Sequence, residues 1–372
     1  MARARHAEIA GAGFAGLAAA AALCRRGWTV RVHEADRELR AFGAGIFIWS
    51  NGLRVLNALG AYADVRAGAF AAPAYETRTD GETLAFEPIN GPNRYRLLTM
   101  TRQHLHAAMV KAARAAGAEL VTGSEAVGAA PEGELHLADG TRLEADIVIG
   151  ADGVRSKVRD SLGIPQERRK YQDGIIRVLT DRTGLKGGEW DHVIDFWCHR
   201  PRTLRILYTP SGENDLYMAM MAPVADKEAS AIPVNPAPWI DCFPQLAPAL
   251  SRLGDRGRYD AYETTRLPTW SAGRVAIVGD SAHAMPPTLA QGAGCAMMNA
   301  LGLAVALDET HTVEEALRLW EARERPLTDH TQRRAAEIAA SRVLASGMKW
   351  DDEGLRAARH VPTGADMPLD DR

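Results

Sequence analysis

A chain of 372 residues exceeds what one ordinary hydrophobic core supports and suits two packed units. With 46% hydrophobic and 24% charged residues it reads as a soluble globular protein. The 44 basic and 47 acidic side chains leave a formal charge of −3, which excludes nucleic acid as the main partner. Four dispersed cysteines, Cys24, Cys198, Cys242 and Cys295, argue against a structural metal site or a disulfide framework and fit a reducing compartment.

At the N-terminus, Arg3 and Arg5 ahead of an alanine-rich stretch imitate a secretory signal. Gly11, Gly13 and Gly16 interrupt the apolar run, however, and Arg25 and Arg26 follow closely. No run of about 18 apolar residues occurs, so no membrane span is predicted and the expected location is cytoplasmic.

Residues 7–10 predict a strand that enters the turn containing Gly11, Gly13 and Gly16. An alanine- and leucine-rich helix follows to about Arg26, and residues 27–33 predict a second strand ending at Glu34. This βαβ opening carries a dinucleotide fingerprint: glycines for the tight turn and close approach to a pyrophosphate, and a helix N-terminus for its charge. Glu34 stands about 20 residues on, where a carboxylate accepts hydrogen bonds from an adenosine ribose. The fingerprint alone does not separate FAD from NAD.

Two later segments repeat one layout. Residues 143–150 predict a buried strand running into Asp152 and Gly153, and residues 274–279 predict another running into Gly279 and Asp280. Gln291, Gly292 and Gly294 then open a small-residue helix to about Leu307. An aspartate after a strand suits the cofactor edge of a parallel sheet and suits a plain helix N-cap equally well. No second glycine-rich nucleotide fingerprint appears, which counts against a separate NAD(P)H domain.

In this order the three stretches, with Arg102 at the start of a further helix, resemble the flavoprotein aromatic monooxygenases of the para-hydroxybenzoate-hydroxylase type. The resemblance implies an α/β protein of the glutathione-reductase type, in which a Rossmann-like FAD-binding domain carries a second, mainly antiparallel-sheet substrate domain. It assigns 1–70, 99–170 and 267–330 to the FAD-binding domain, 71–98 and 171–266 to the substrate domain, and 331–372 to a C-terminal helix and tail. It implies FAD held by Gly11, Gly13, Phe14, Ala15, Gly16, Glu34, Ala35, Arg40, Ala44, Gly45, Arg102, Val127, Asp152, Asp280, Gly292, Ala293 and Gly294. NADH or NADPH would be a transient reductant and O2 the co-substrate, acting through a flavin C4a-hydroperoxide. No metal is implied, and no side chain is required as an essential acid or base.

Further stretches, 39–46, 205–208, 216–217, 258–265 and 290–297, are similar to the branch of this family that oxygenates and opens a 3-hydroxypyridine carboxylate ring. The likeness implies a small aromatic carboxylate held by Arg177, Arg205, Tyr217, Tyr75 and Tyr262, with both arginines on the carboxylate. In the predicted strand around Arg205, Leu204, Ile206 and Tyr208 alternate to the opposite face. Met218, Met220 and Met221 read as core filler, and His283 as a structural neighbour of the flavin. Simple hydroxylation without ring opening, a flavin dehydrogenase or reductase, and a flavin-based sensor remain as alternatives. The helix from about Val313 suits packing on the flavin domain or on a second subunit, and 351–372 reads as a loosely held tail.

Overall fold

The computed structural model describes residues 5–40, 44–92, 94–254, 257–341 and 353–365. Its first sheet has six strands in the order Ser271–Ala272, Val275–Ile277, Ile147–Gly150, His6–Ala10, Thr29–Glu34 and Glu119–Thr122. All neighbours pair in parallel except the short outermost Ser271–Ala272. Parallel strands covered on both faces need continuous apolar runs. Ala7, Ile9 and Ala10 of the central strand and Ile147, Val148 and Ile149 of its neighbour are all fully buried.

Helix α1 (Phe14–Cys24) is buried at every position from Ala15 to Leu23, so it is apolar all round rather than amphipathic. A second helix, α2 (Arg102–Ala116), is capped by Thr101, whose hydroxyl accepts from the His104 N–H. Two more complete the frame: α3 (Gly292–Glu309), which packs on α1, and α4 (Val313–Ser341). Strand order reverses on either side of His6–Ala10, and at that switch point the carboxyl ends of the strands open a crevice.

The second sheet has seven strands: Tyr259–Arg266, Glu167–Asp181, Asp215–Pro223, Leu204–Pro210, Val193–Cys198, Ala74–Thr79 and Glu82–Pro88. Pairing is antiparallel except between Val193–Cys198 and Ala74–Thr79. Alternation along the strands sends Ile206, Tyr208, Met218 and Met220 into one core with Trp239 and Phe243. Arg205, Leu207, Tyr217, Ala219 and Met221 point the other way, toward the first unit. Met221, one residue out of phase with Met220, is core filler on the opposite face of the sheet, where it also borders the site.

The tail also differs from expectation in its described part. Within 353–365, Leu355, Ala357, Ala358 and Ala365 are buried. The Thr363 hydroxyl donates to Glu324 Oε1 at 2.8 Å, and the Arg359 guanidinium lies 4.4 Å from the centroid of the Tyr95 ring. Small apolar residues spaced between charges let this segment bury one side while its charges stay wet. Among the described residues no helix is long and apolar enough to cross a membrane, and no group of acidic, histidine and cysteine side chains is placed to hold a metal.

Candidate active site

A cleft of about 690 Å³ follows the crevice at the switch point, lined by Ala12, Gly13, Phe14, Glu34, Arg40 and Asp280 among others. The turn into α1 is drawn tight: a Cβ on Gly16 would lie 2.0 Å from the Gly11 carbonyl oxygen. The N-cap of α1 is Gly13, with no side-chain cap and no acid in the first turn, so its N–H groups face the cleft without competition. Glu34 accepts from the Ala12 N–H at 2.9 Å and from the Asp36 N–H at 3.0 Å, which fixes its carboxylate at the strand end with lone pairs to spare.

The cleft continues into a space of about 290 Å³ lined by Gly45, Arg102, Tyr217, Asp280, Gly292 and Ala293 among others. Gly45 is required there by close packing, since a Cβ would sit 2.2 Å from Tyr217 Cγ. Arg102 lies over the Phe14 ring at 5.0 Å. Burial, then the nearby Arg177, lower its pKa, against Tyr217 and Asp280. Gln291, at the N-cap of α3, is buried, and its Nε2 has no partner among the described residues. A glycine-opened helix N-terminus, a buried amide NH2 with no partner among the described residues and a long cleft from Glu34 to Gly292 fit an extended dinucleotide whose ring end reaches α3.

Beyond this space, sharing Phe47, Leu207, Pro287 and Ala290 with it, lies a chamber of about 100 Å³. Its walls include Trp49, Leu289, Ile338 and Leu355, so the C-terminal segment closes one side. Its polar lining includes Thr77, Thr288, Arg334 and one buried ion pair, in which Arg205 Nε and Nη2 donate to the two oxygens of Asp195 at 2.6 and 2.9 Å. Burial pulls the Arg205 pKa down, but Asp195 outweighs it and the net shift is upward. Tyr75 lines the same chamber, and burial, reinforced by Asp195, raises its pKa.

A family model for the FAD binding domain matches residues 5–335. The chain belongs to the FAD-dependent aromatic monooxygenases. It superposes with a TM-score of 0.93 on the tetrameric form of 2-methyl-3-hydroxypyridine-5-carboxylic acid oxygenase, at 50% identity, covering 97% of this chain and 98% of that one. It is 42% identical to 2-heptyl-3-hydroxy-4(1H)-quinolone synthase of Mycobacteroides abscessus over 88% of each chain. It is also 30% identical to 6-hydroxynicotinate 3-monooxygenase of Bordetella bronchiseptica, over 84% of this chain and 86% of that one.

Within this monooxygenase fold the residues expected at the flavin fall into three groups. Gly13, Phe14, Ala15, Glu34, Arg40, Ala44, Gly45, Arg102, Asp280, Gly292 and Ala293 line the cleft directly, while Gly11, Gly16 and Gly294 shape the backbone behind it. Asp152 instead caps a helix: it accepts from Ser156 Oγ, from the Lys157 N–H at 2.8 Å and from the Val158 N–H at 3.1 Å. Ala35 is exposed, and Val127 is exposed on the strand Ala126–Ala130; neither lines the cleft.

The five expected substrate residues lie on one face of the second sheet but border different spaces. Arg177 and Tyr217 line the flavin cleft, whereas Arg205 and Tyr75 line the chamber and Tyr262 lines a smaller space that Arg205 also borders. In this structure each of the two arginines is paired with its own aspartate. Arg177 donates to Asp260 at 3.2 Å, as Arg205 does to Asp195. His283 is buried, accepts from Asn299 at 3.0 Å and packs on Trp270, and burial lowers its pKa, so its ring is a neutral structural group. Sequence reading missed Asp195, Phe47 and Leu355; the first was legible in principle, two residues from Trp197 on the face that Arg205 shares.

Proposed function

We propose that this monooxygenase oxygenates, and opens, a 3-hydroxypyridine carboxylate ring such as 2-methyl-3-hydroxypyridine-5-carboxylate or 5-hydroxynicotinate. The observation that carries the reading is the buried Arg205, set with Tyr75 in the wall of a ring-sized chamber that opens on the flavin cleft. Support comes from the 50% identity to an oxygenase named for that carboxylate. When bound, FAD reduced by NAD(P)H supplies the activated oxygen.

The chain's own residues bind, orient and exclude water. Arg205 spends two of its five N–H groups on Asp195 and also meets the Tyr75 side chain, which leaves donors for a ligand oxygen. Phe47, Leu207, Pro287 and Ala290 form an apolar collar between chamber and cleft, which keeps the reacting ring dry. Tyr217, held against Gly45 and within the field of Arg177 and Arg102, keeps a protonated hydroxyl, since burial raises its pKa. The N-terminus of α3 favours negative charge on a group seated at Gly292.

A second reading, hydroxylation of an alkylated 4-quinolone, is favoured by the apolar walls at Trp49, Leu289, Ile338 and Leu355 and by the quinolone synthase relatives. The test is product mass from FAD-loaded protein given NADH, air and either 2-methyl-3-hydroxypyridine-5-carboxylate or 2-heptyl-4(1H)-quinolone. A gain of two oxygens and two hydrogens on the pyridine supports ring opening, and a gain of one oxygen makes the protein a simple hydroxylase. Turnover of the quinolone alone refutes the first reading in favour of the second.

A further inference from the structure

Next to the ring chamber lies a smaller hole of about 40 Å³. Arg205, Thr288 and Ile338 belong to the linings of both spaces, so hole and chamber adjoin at these side chains. The hole has room for a water-sized group and is less than half the size of the ring chamber. It suits one oxygen-bearing group.

Its polar lining is unusual. Trp197 and Tyr262 both line it, at 7% and 5% exposure, and neither Trp197 Nε1 nor the Tyr262 hydroxyl has a hydrogen-bond partner among the described residues. Burying an N–H or O–H without a partner costs about 1–3 kcal/mol, so two such groups at one small space mark a place where an acceptor belongs. Indole N–H and guanidinium groups donate only, and a phenol can donate. Trp197 and Arg205 are cross-strand partners, and the guanidinium lies 4.7 Å from the centroid of the indole ring. Asp195 already balances the charge of Arg205, and the half-buried Asp173 also lines the hole. The hole therefore presents hydrogen-bond donors with no net positive charge and one carboxylate acceptor on the same lining.

We propose that this hole is an acceptor subsite of the substrate pocket, in which an oxygen carried by the bound ring, carboxylate or carbonyl, takes hydrogen bonds from Trp197 and Tyr262. The proposal rests on the reading of the chamber as the ring site. It makes Trp197 a specificity-determining residue: a ring that carries the oxygen satisfies both orphan donors, and a bare ring leaves them unpaired.

The test uses ring pairs that differ in the oxygen-bearing group: 5-hydroxynicotinate against 3-hydroxypyridine, and 4(1H)-quinolone against quinoline. Dissociation constants are read from the perturbation of flavin absorbance in FAD-loaded wild type, Trp197→Phe and Tyr262→Phe, with thermal melts of the apo forms to confirm folding. In each variant the oxygen-bearing member of at least one pair should weaken tenfold or more, and its bare partner less than twofold. Equal weakening of both members means that the hole holds only solvent and overturns the proposal, as does no weakening or no binding of any oxygen-bearing ring to wild type. A selective loss confined to the quinolone pair sustains the subsite while refuting the hydroxypyridine reading.

Discussion

Replacing Arg205 by alanine separates what this side chain does for the ligand from what it does for the fold. The guanidinium is 7% exposed and its partner Asp195 3% exposed, joined by two short hydrogen bonds. Arg205→Ala strands the Asp195 carboxylate in an apolar wall, and breaking a buried pair from one side costs about 3–5 kcal/mol. Replacing both partners by apolar residues of similar volume is close to neutral for buried pairs, so Arg205→Met with Asp195→Leu should recover most of that loss. Urea unfolding of the two variants and wild type reads the stability arm, and steady-state kinetics with the hydroxypyridine carboxylate reads the binding arm. The single variant should lose about 3 kcal/mol or more. Its kcat/KM should fall more than tenfold, which corresponds to at least about 1.4 kcal/mol. The double variant should be stable and still bind the carboxylate poorly. A single variant within about 0.5 kcal/mol of wild type, with unchanged kinetics, would refute the buried-pair reasoning and the substrate role together.

Three further outcomes follow from particular contacts. Gly16→Ala places a Cβ 2.0 Å from the Gly11 carbonyl oxygen, so the turn must move and FAD affinity, titrated by flavin fluorescence, should drop at least tenfold. Gly45→Ala pushes on Tyr217 at 2.2 Å and should raise KM for the aromatic substrate more than it weakens FAD; the reverse order would remove Tyr217 from the substrate side. Burial raises the Glu324 pKa, against the Thr363 hydrogen bond, so the folded protein holds that proton more tightly than the unfolded chain. Stability from this group is full below the ordinary carboxylate range and is lost as pH rises through the folded value. Glu324→Gln, which keeps an acceptor for Thr363, should flatten that decline in urea unfolding at stepped pH; an unchanged slope would contradict it.

The flavin half was legible because its signals are local. Gly11, Gly13 and Gly16, the helix behind them and Glu34 lie within one βαβ unit, and one turn's sterics dictate their spacing. The substrate half was only partly legible. Alternation put Arg205 on the correct face, but its partner depends on hairpin register, which the loop between Cys198 and Leu204 sets without a marked turn motif. The same holds for Arg177, because the strand Glu167–Asp181 carries an irregularity between Lys170 and Gly174 that shifts its pairing toward Asp260. Asp152 reads as cap or ligand alike from sequence, and in the structure its carboxylate accepts from the first N–H groups of the helix Lys157–Ser161. The docking of Leu355 into the chamber wall arises from tertiary contacts far along the chain, to which no periodicity points.

Oxygen transfer itself is most directly tested by isotope. FAD-loaded protein given NADH and 2-methyl-3-hydroxypyridine-5-carboxylate under 18O2 should consume NADH faster with the ring than without it and yield a product carrying 18O. NADH consumption with no labelled product, whichever ring is supplied, would contradict the oxygenase account and leave a flavin oxidase or reductase in its place.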